Sequence, residues 1–175
     1  MIKLKILLEQ IIKEYGDLDK IPVYPHQNNK FTTDEGWNVE VKFDEWDEEY
    51  LKAVNINTEI YKPPVYNVSY AVEGVETQFT KSTYGSLIKI LKTVVDICED
   101  FIKEQKPNGL ILFAANRNED KILSITDPSK TKLYHAIAIK YIFKNLPNYT
   151  LVDISNFKGF DGFMIYNKEK KSKKN

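Results

Sequence analysis

The chain is expected to fold as an α/β (α+β) protein: a single domain with a mixed central sheet, helices on both faces and an extra N-terminal helix. Three observations predict this. Leu87, Ile88, Leu91, Val94, Val95, Cys98, Phe101 and Ile102 recur at three- and four-residue spacing, the period of an amphipathic helix. The stretch "GLILFAA" (109–115) is an unbroken apolar run, the mark of a strand covered on both faces. In "WNVEVKF" (37–43), Trp37, Val39, Val41 and Phe43 alternate with Asn38, Glu40 and Lys42, as a half-buried strand does.

Taken in order, Ile2, Leu4, Ile6, Leu7, Leu8, Ile11 and Ile12 predict a short N-terminal helix over 1–16, stopped by Gly16. Pro22, Pro25 and the Asn28–Asn29 pair predict a connecting loop, with room for a short strand around Val23. After the strand at 37–43 comes the acidic run "DEWDEEY" (44–50). Pro63 and Pro64 end what precedes them, and Val65 to Phe79 predicts one long strand or a hairpin bent near Gly74. A helix over 84–104 follows, closed by Pro107 and Gly109, and then the central strand. Asp127 as N-cap and Pro128 at the first helical position open another helix, with Leu133, Tyr134, Ile137, Ala138, Tyr141 and Ile142 on its buried stripe. "YTLVDI" (149–154) and "GFMIYN" (162–167) are two closing strands joined by a turn containing Gly159 and Gly162. The domain spans 1–167, and the basic 168–175 reads as a disordered tail.

Composition excludes several classes. The chain of 175 residues carries 25 basic and 25 acidic side chains, so no global charge steers it toward nucleic acid or an anionic membrane. Lysines of the tail offer only weak, salt-sensitive nucleic-acid contacts. No run approaches the length of a membrane span, and Lys3, Lys5, Glu9, Lys13 and Glu14 interrupt what would be a leader's apolar core. A soluble protein of the cytoplasm is the expectation. Cys98 falls in the helical stripe and reads as a core thiol. With only His26 and His135 besides, neither near Cys98, a zinc site of the usual Cys/His type is not expected, and no metal site is read from the sequence.

Two stretches carry candidate chemistry. "TKSTYGSL" (80–87) presents hydroxyls, one lysine and one glycine at a strand-to-helix junction. Backbone amides at such a junction, together with the helix dipole, suit an anion. Lys81, Ser82, Thr83, Tyr84, Gly85 and Ser86 are therefore candidate binding residues, the alternative being a helix start capped by Ser82 or Thr83. The run Asp44, Glu45, Asp47, Glu48, Glu49 is a solvated face, an edge guard or a carboxylate cluster in which one member serves as a base. Trp37, Trp46, Tyr50, Tyr61 and Tyr66 lie outside the clear core stripes and are candidates for a contact surface with other proteins.

A strand, a glycine-containing turn, a helix, a central strand, a helix opening near "KLYHA" and two strands, over residues 65–167, resemble the second half of GNAT-type N-acetyltransferases. The resemblance places Thr80 at the family's Gln/Arg position, Thr83 at its first glycine and Gly85 at its last small residue, so that only the last keeps the family pattern. It implies acetyl-CoA as cofactor, its pyrophosphate held at 81–86, and Tyr134 as the acid that protonates the departing thiolate. Asn116 falls where the family shows polar residues near the acceptor, and Glu45 or Glu48 would deprotonate the acceptor amine. The same half is also similar to small proteins of tailed bacteriophages. The first reading is therefore an accessory or virion-associated protein that uses a GNAT-like scaffold to bind phage or host proteins, its coenzyme site eroded and no cofactor held. In that case its place is the host cytoplasm or the virion. The alternative reading is an acetyl-CoA-dependent N-acyltransferase.

Overall fold

The computed structural model describes Lys13, Asp17 and residues 20–72, 84–115, 144–157 and 160–172. Their framework is one seven-stranded mixed sheet in the order β1-β2-β3-β4-β5-β7-β6. The strands are β1 (His26–Gln27), β2 (Lys30–Thr32), β3 (Asn38–Trp46), β4 (Val65–Val72), β5 (Gly109–Ala115), β6 (Tyr149–Phe157) and β7 (Phe160–Asn167). Two α-helices accompany them, α1 (Glu48–Ala53) and α2 (Tyr84–Gln105), with a 3₁₀ turn at Lys168–Lys170. All neighbours are antiparallel except β4 and β5, the parallel pair that α2 connects.

β1 and β2 occupy the stretch expected to be a loop. Asn28 and Asn29 both take positive φ, 52° and 62°, between the paired residues Gln27 and Lys30. That is the backbone of a two-residue hairpin turn whose twist matches its strands, and asparagine tolerates it better than most residues. The Asn pair thus makes the hairpin. At the next turn Gly36, at φ 85°, donates its N–H to Thr33 O (2.9 Å), and Thr33 N–H returns to Trp37 O (2.9 Å).

The sheet is covered along one face by α2 and over part of the other by α1 and the loop after it. On one, Val39, Val41, Val68, Leu110, Leu112, Phe163 and Ile165 meet the α2 stripe of Ile88, Leu91, Val94, Val95, Cys98 and Ile102. On the other, Leu51, Val54 and Ile56, from α1 and the loop after it, pack on Val65, Ile111, Ile154, Met164 and Tyr166. Leu110, Ile111 and Leu112 are buried in succession, which is why "GLILFAA" shows no alternation. β3 runs three residues past the alternating pattern, into the acidic run. Asp47 then caps α1, accepting from the N–H groups of Glu49 (2.9 Å) and Tyr50 (3.1 Å). β6 and β7 reach three and two residues further toward each other than expected, so Gly162 lies inside β7, opposite Ile154. The N-terminal helix over 1–16, residues 73–83, the helix opening at Asp127 and the end of the lysine tail fall outside the described residues, apart from the isolated positions Lys13 and Asp17 and the helical residues Lys144 and Asn145.

Candidate functional site

The parallel pair is joined only at its base. β4 and β5 share four register positions, Val65↔Gly109 to Val68↔Leu112. Beyond these, β4 continues to Val72 paired with β3, and β5 continues to Ala115 paired with β7. Two strands that stop bonding to each other while each stays bonded to its outer neighbour must part, so the sheet opens as a fork above Val68 and Leu112.

The closed end is held firmly. Asn108 N–H donates to Pro64 O (2.9 Å), its side-chain amide donates to Lys62 O (3.0 Å) and Pro63 O (2.7 Å), and its carbonyl accepts from Asn167 N–H (2.8 Å). The Pro63–Pro64 peptide is cis. The C-terminal part of α2 sits over this end, where the Phe101 ring stacks on Phe43 (centroids 3.9 Å apart) and meets Tyr66 edge-on (5.1 Å). The first turn of α2 lies about 25 Å up the helix axis from Phe101. Near that turn Lys89 Nζ pairs with Asp34 Oδ2 at 3.2 Å, in the β2–β3 connection, and covers the Tyr24 ring at 4.0 Å. Asn38, next to that connection, starts the row of β3 that pairs with the upper end of β4, so α2 begins at the open end of the fork.

Tyr84, Gly85 and Ser86 form the first turn of α2, at that open end. Lys81, Ser82, Thr83, Asn116 and Tyr134 lie outside the described residues. Glu45 and Glu48 are not brought to the same place. Glu45 sits on β3 opposite Tyr66, within the closed part of the fork, and Glu48 follows in α1. Glu45 Oε2 accepts from the Tyr66 hydroxyl at 3.2 Å, and Glu48 pairs with Lys52 at 3.3 Å. Burial first, and the Glu45 carboxylate second, push the Tyr66 pKa up, which keeps that hydroxyl a donor. The acidic run therefore serves as strand end, helix cap and exposed ion pair.

Sequence reasoning did not single out Asn67. Its Oδ1 is buried on β4, one residue before the strands part, with no hydrogen-bond partner among the described residues. An asparagine between Tyr66 and Val68, in a strand whose one other polar residue is Ser69, is the only trace of it in the sequence. A groove of about 740 Å³ lies nearby, lined by residues of β1, β2 and β3 and by Ala71, in the part of β4 beyond its pairing with β5. Its charged members include Lys30 and Glu40, which pair at 3.3 Å.

The aromatic surface is smaller than expected. Trp37 is buried, Trp46 and Tyr61 pack against the α1-side core, and Tyr66 packs against the α2-side core. Among the described residues only Tyr50 is a large hydrophobic side chain left exposed, at 59%. Cys98 is fully buried, and that burial pushes its pKa up to about 12, so it offers no thiolate for chemistry. The structure also joins His26 on β1 to Asp96 and Asp100 on α2. Among the described residues no helix is long and apolar enough to cross a membrane.

Compared with protein-family models, curated proteins and solved structures, the chain matches none.

Proposed function

We propose that this chain is a GNAT-like, acyl-CoA-dependent N-acyltransferase whose coenzyme enters the fork between β4 and β5. The observation that carries the reading is the fork itself: the one parallel pair among the described residues, connected by a helix, pairs over four positions and then opens at the helix's N-terminal end. An opening of this kind accepts an extended pantetheine arm, whose amides would bond to the strand edges that lack a partner among the described residues. The first turn of α2 offers backbone N–H groups and the positive end of the helix dipole to the pyrophosphate. Asn67 Oδ1, buried and unsatisfied beside the fork, is an acceptor for a ligand N–H.

In the reaction the acceptor amine attacks the thioester carbonyl, the C–S bond breaks and the coenzyme leaves as a thiolate. Tyr134 is the proton donor to that thiolate, as the resemblance implies. Glu45 and Glu48 lie at the other end of the sheet, so the proton of the amine goes elsewhere, with Glu40 the carboxylate on the wall of the neighbouring groove.

Calorimetric titration with acetyl-CoA and CoA tests the reading. A dissociation constant of about 100 μM or tighter, roughly −5.5 kcal/mol, is expected. Gly85→Trp, checked for an unchanged circular dichroism spectrum, should abolish the heat, and Asn67→Leu should weaken it. Absence of heat at high protein concentration overturns the enzyme reading. The departures at Thr80 and Thr83 then favour the alternative, a scaffold that binds phage or host proteins without coenzyme.

A further inference from the structure

We propose that His26, Asp96 and Asp100 form a binding site for a divalent transition-metal ion, which ties the β1–β2 hairpin to α2. His26 Nε2 lies 3.0 Å from Asp96 Oδ2 and 3.9 Å from Asp100 Oδ2, and one ligand atom from each residue falls within 4.8 Å of the other two. A metal bound at about 2.0–2.2 Å to imidazole nitrogen and carboxylate oxygen holds neighbouring ligands roughly 3.0–3.5 Å apart. The His26–Asp96 spacing already meets that requirement. Asp100 has to close by less than a side-chain rotation, and its carboxylate, 55% exposed, is free to do so.

Both elements hold their ligands in place. Asp96 and Asp100 are one helical turn apart, so they project from one face of α2. The chain leading into β1 is fastened to that face, since Tyr24 N–H donates to Thr93 Oγ1 (2.9 Å) and the Thr93 hydroxyl donates to Lys89 O (2.7 Å). His26 is therefore brought to the carboxylates by the fold and not by a flexible loop, and its side chain is only 18% exposed. Lys92 Nζ, 3.9 Å from Asp96 Oδ1, is the nearest opposing charge. It faces the Asp96 oxygen that does not contact His26. A second ammonium, Lys103, also feels both aspartates but is paired with Glu99, so the two carboxylates of the cluster still outweigh the Lys92 ammonium facing them.

The donor set selects the metal. One imidazole with two carboxylates suits Zn²⁺, Mn²⁺ or Co²⁺, whereas Mg²⁺ and Ca²⁺ prefer all-oxygen shells. The exposed side of Asp100 leaves water to complete the coordination. Because the ligands come from two elements far apart in sequence and meet only in the folded chain, binding stabilises the fold by an amount that grows with the logarithm of free ion concentration above the dissociation constant. The site shares no ligand residue with the fork, though His26 also lines the groove beside it, and it stands whether or not the protein takes acyl-CoA.

The test is calorimetric titration of the EDTA-stripped full chain with ZnCl₂, MnCl₂ and MgCl₂ near neutral pH, with melting temperature as the second readout. One Zn²⁺ per chain is expected at a dissociation constant of about 10 μM or tighter, with a raised melting temperature and much weaker Mg²⁺ binding. His26→Gln and Asp100→Asn should each weaken Zn²⁺ by about 10-fold or more. Asp100→Asn removes only the longer contact, so its melting temperature in EDTA should stay at the wild-type value, and a loss of Zn²⁺ binding there is a loss of ligation. Absence of Zn²⁺ heat overturns the proposal. So does Zn²⁺ affinity unchanged within about twofold in both variants, since the ion would then sit elsewhere on the chain.

Discussion

Gly109→Ala is the substitution whose effect the structure fixes most closely. Gly109 opens β5 at the closed end of the fork, opposite Val65 of β4 and Tyr166 of β7. A Cβ built there would lie 2.9 Å from Tyr166 Cδ2 and 3.0 Å from Ile165 O. Neither neighbour can yield. The Tyr166 ring is fully buried, stands edge-on to Tyr61 at 5.0 Å, and is held at its hydroxyl by Lys62 N–H (2.8 Å) and by the carbonyls of Lys62 (3.2 Å) and Lys170 (3.3 Å). Ile165 O belongs to the backbone of a central strand, where Ile165 pairs with Leu110. Overpacking of this kind costs about 1–3 kcal/mol, and a rigid environment puts it in the upper half of that range. For a chain of this size that is a fall in melting temperature of roughly 4–10 °C, or about 1 M in the urea midpoint with the m-value unchanged. Gly36→Ala is the control, because its Cβ would meet nothing within 4 Å while its φ of 85° strains any L residue. Its cost, about 1 kcal/mol, should shrink further in Gly36→Asn, since asparagine tolerates that backbone. A Gly109→Ala midpoint within about 0.2 M of wild type would refute the reasoning, by showing that β7 gives way at a point described as locked.

Alkaline pH should weaken the fold through Cys98. Burial raises its pKa from 9.0 to about 12, so between those values the unfolded chain has lost the proton that the folded chain keeps. Stability then falls with pH by up to about 1.4 kcal/mol per unit. Tyr24, Tyr149 and Tyr166, whose pKa values burial also raises, add to the fall above pH 10.0. Urea midpoints measured from about pH 8 to 10.5 should drop more steeply in wild type than in Cys98→Ala; equal slopes would remove the thiol from the account. Phe101→Ala should cost about 2–4 kcal/mol, because the half-buried ring loses both its stack on Phe43 and its edge contact with Tyr66. Phe101→Leu should recover part of this in the same urea assay. A loss below about 1 kcal/mol for Phe101→Ala would mean that the end of α2 is held by something other than these rings.

What could be read in the sequence follows from how each element is covered. β5 coincides with "GLILFAA" because Leu110, Ile111 and Leu112 are buried in succession on alternate faces, and such a run has no competing period. The stripe on α2 was equally plain, since one helix face meets one sheet face along its length. β3 shows where this kind of reading stops. Val39, Val41 and Phe43 alternate because only the α2 face is covered there, but Trp46 packs on the opposite face, where α1 and the loop after it begin. The change of covering element shifts the alternation by one residue, and a strand that continues through it looks like an acidic loop. β1 and β2, two and three residues long, are too short to show a period at all, so the only trace of their hairpin was the Asn28–Asn29 pair.

The candidate sites are harder to read for a different reason: each is a relation between segments. "GLILFAA" and "VYNVSYAV" contain nothing that says they bond over four positions and then part, because the bonds that end the pairing are those to β3 and β7. The spacing of Asp96 and Asp100 announces a shared helix face, but His26 joins them across 70 residues through a hairpin that the sequence reads as loop. Asn67 is the intermediate case. A buried polar oxygen without a partner among the described residues conflicts with its surroundings, and an uncompensated conflict of that kind is costly enough to be kept only where something repays it. If a ligand N–H repays it, Asn67→Leu should stabilise the free protein while weakening its hold on coenzyme. A gain in stability with no change in binding would mark the residue as a packing defect beside the fork.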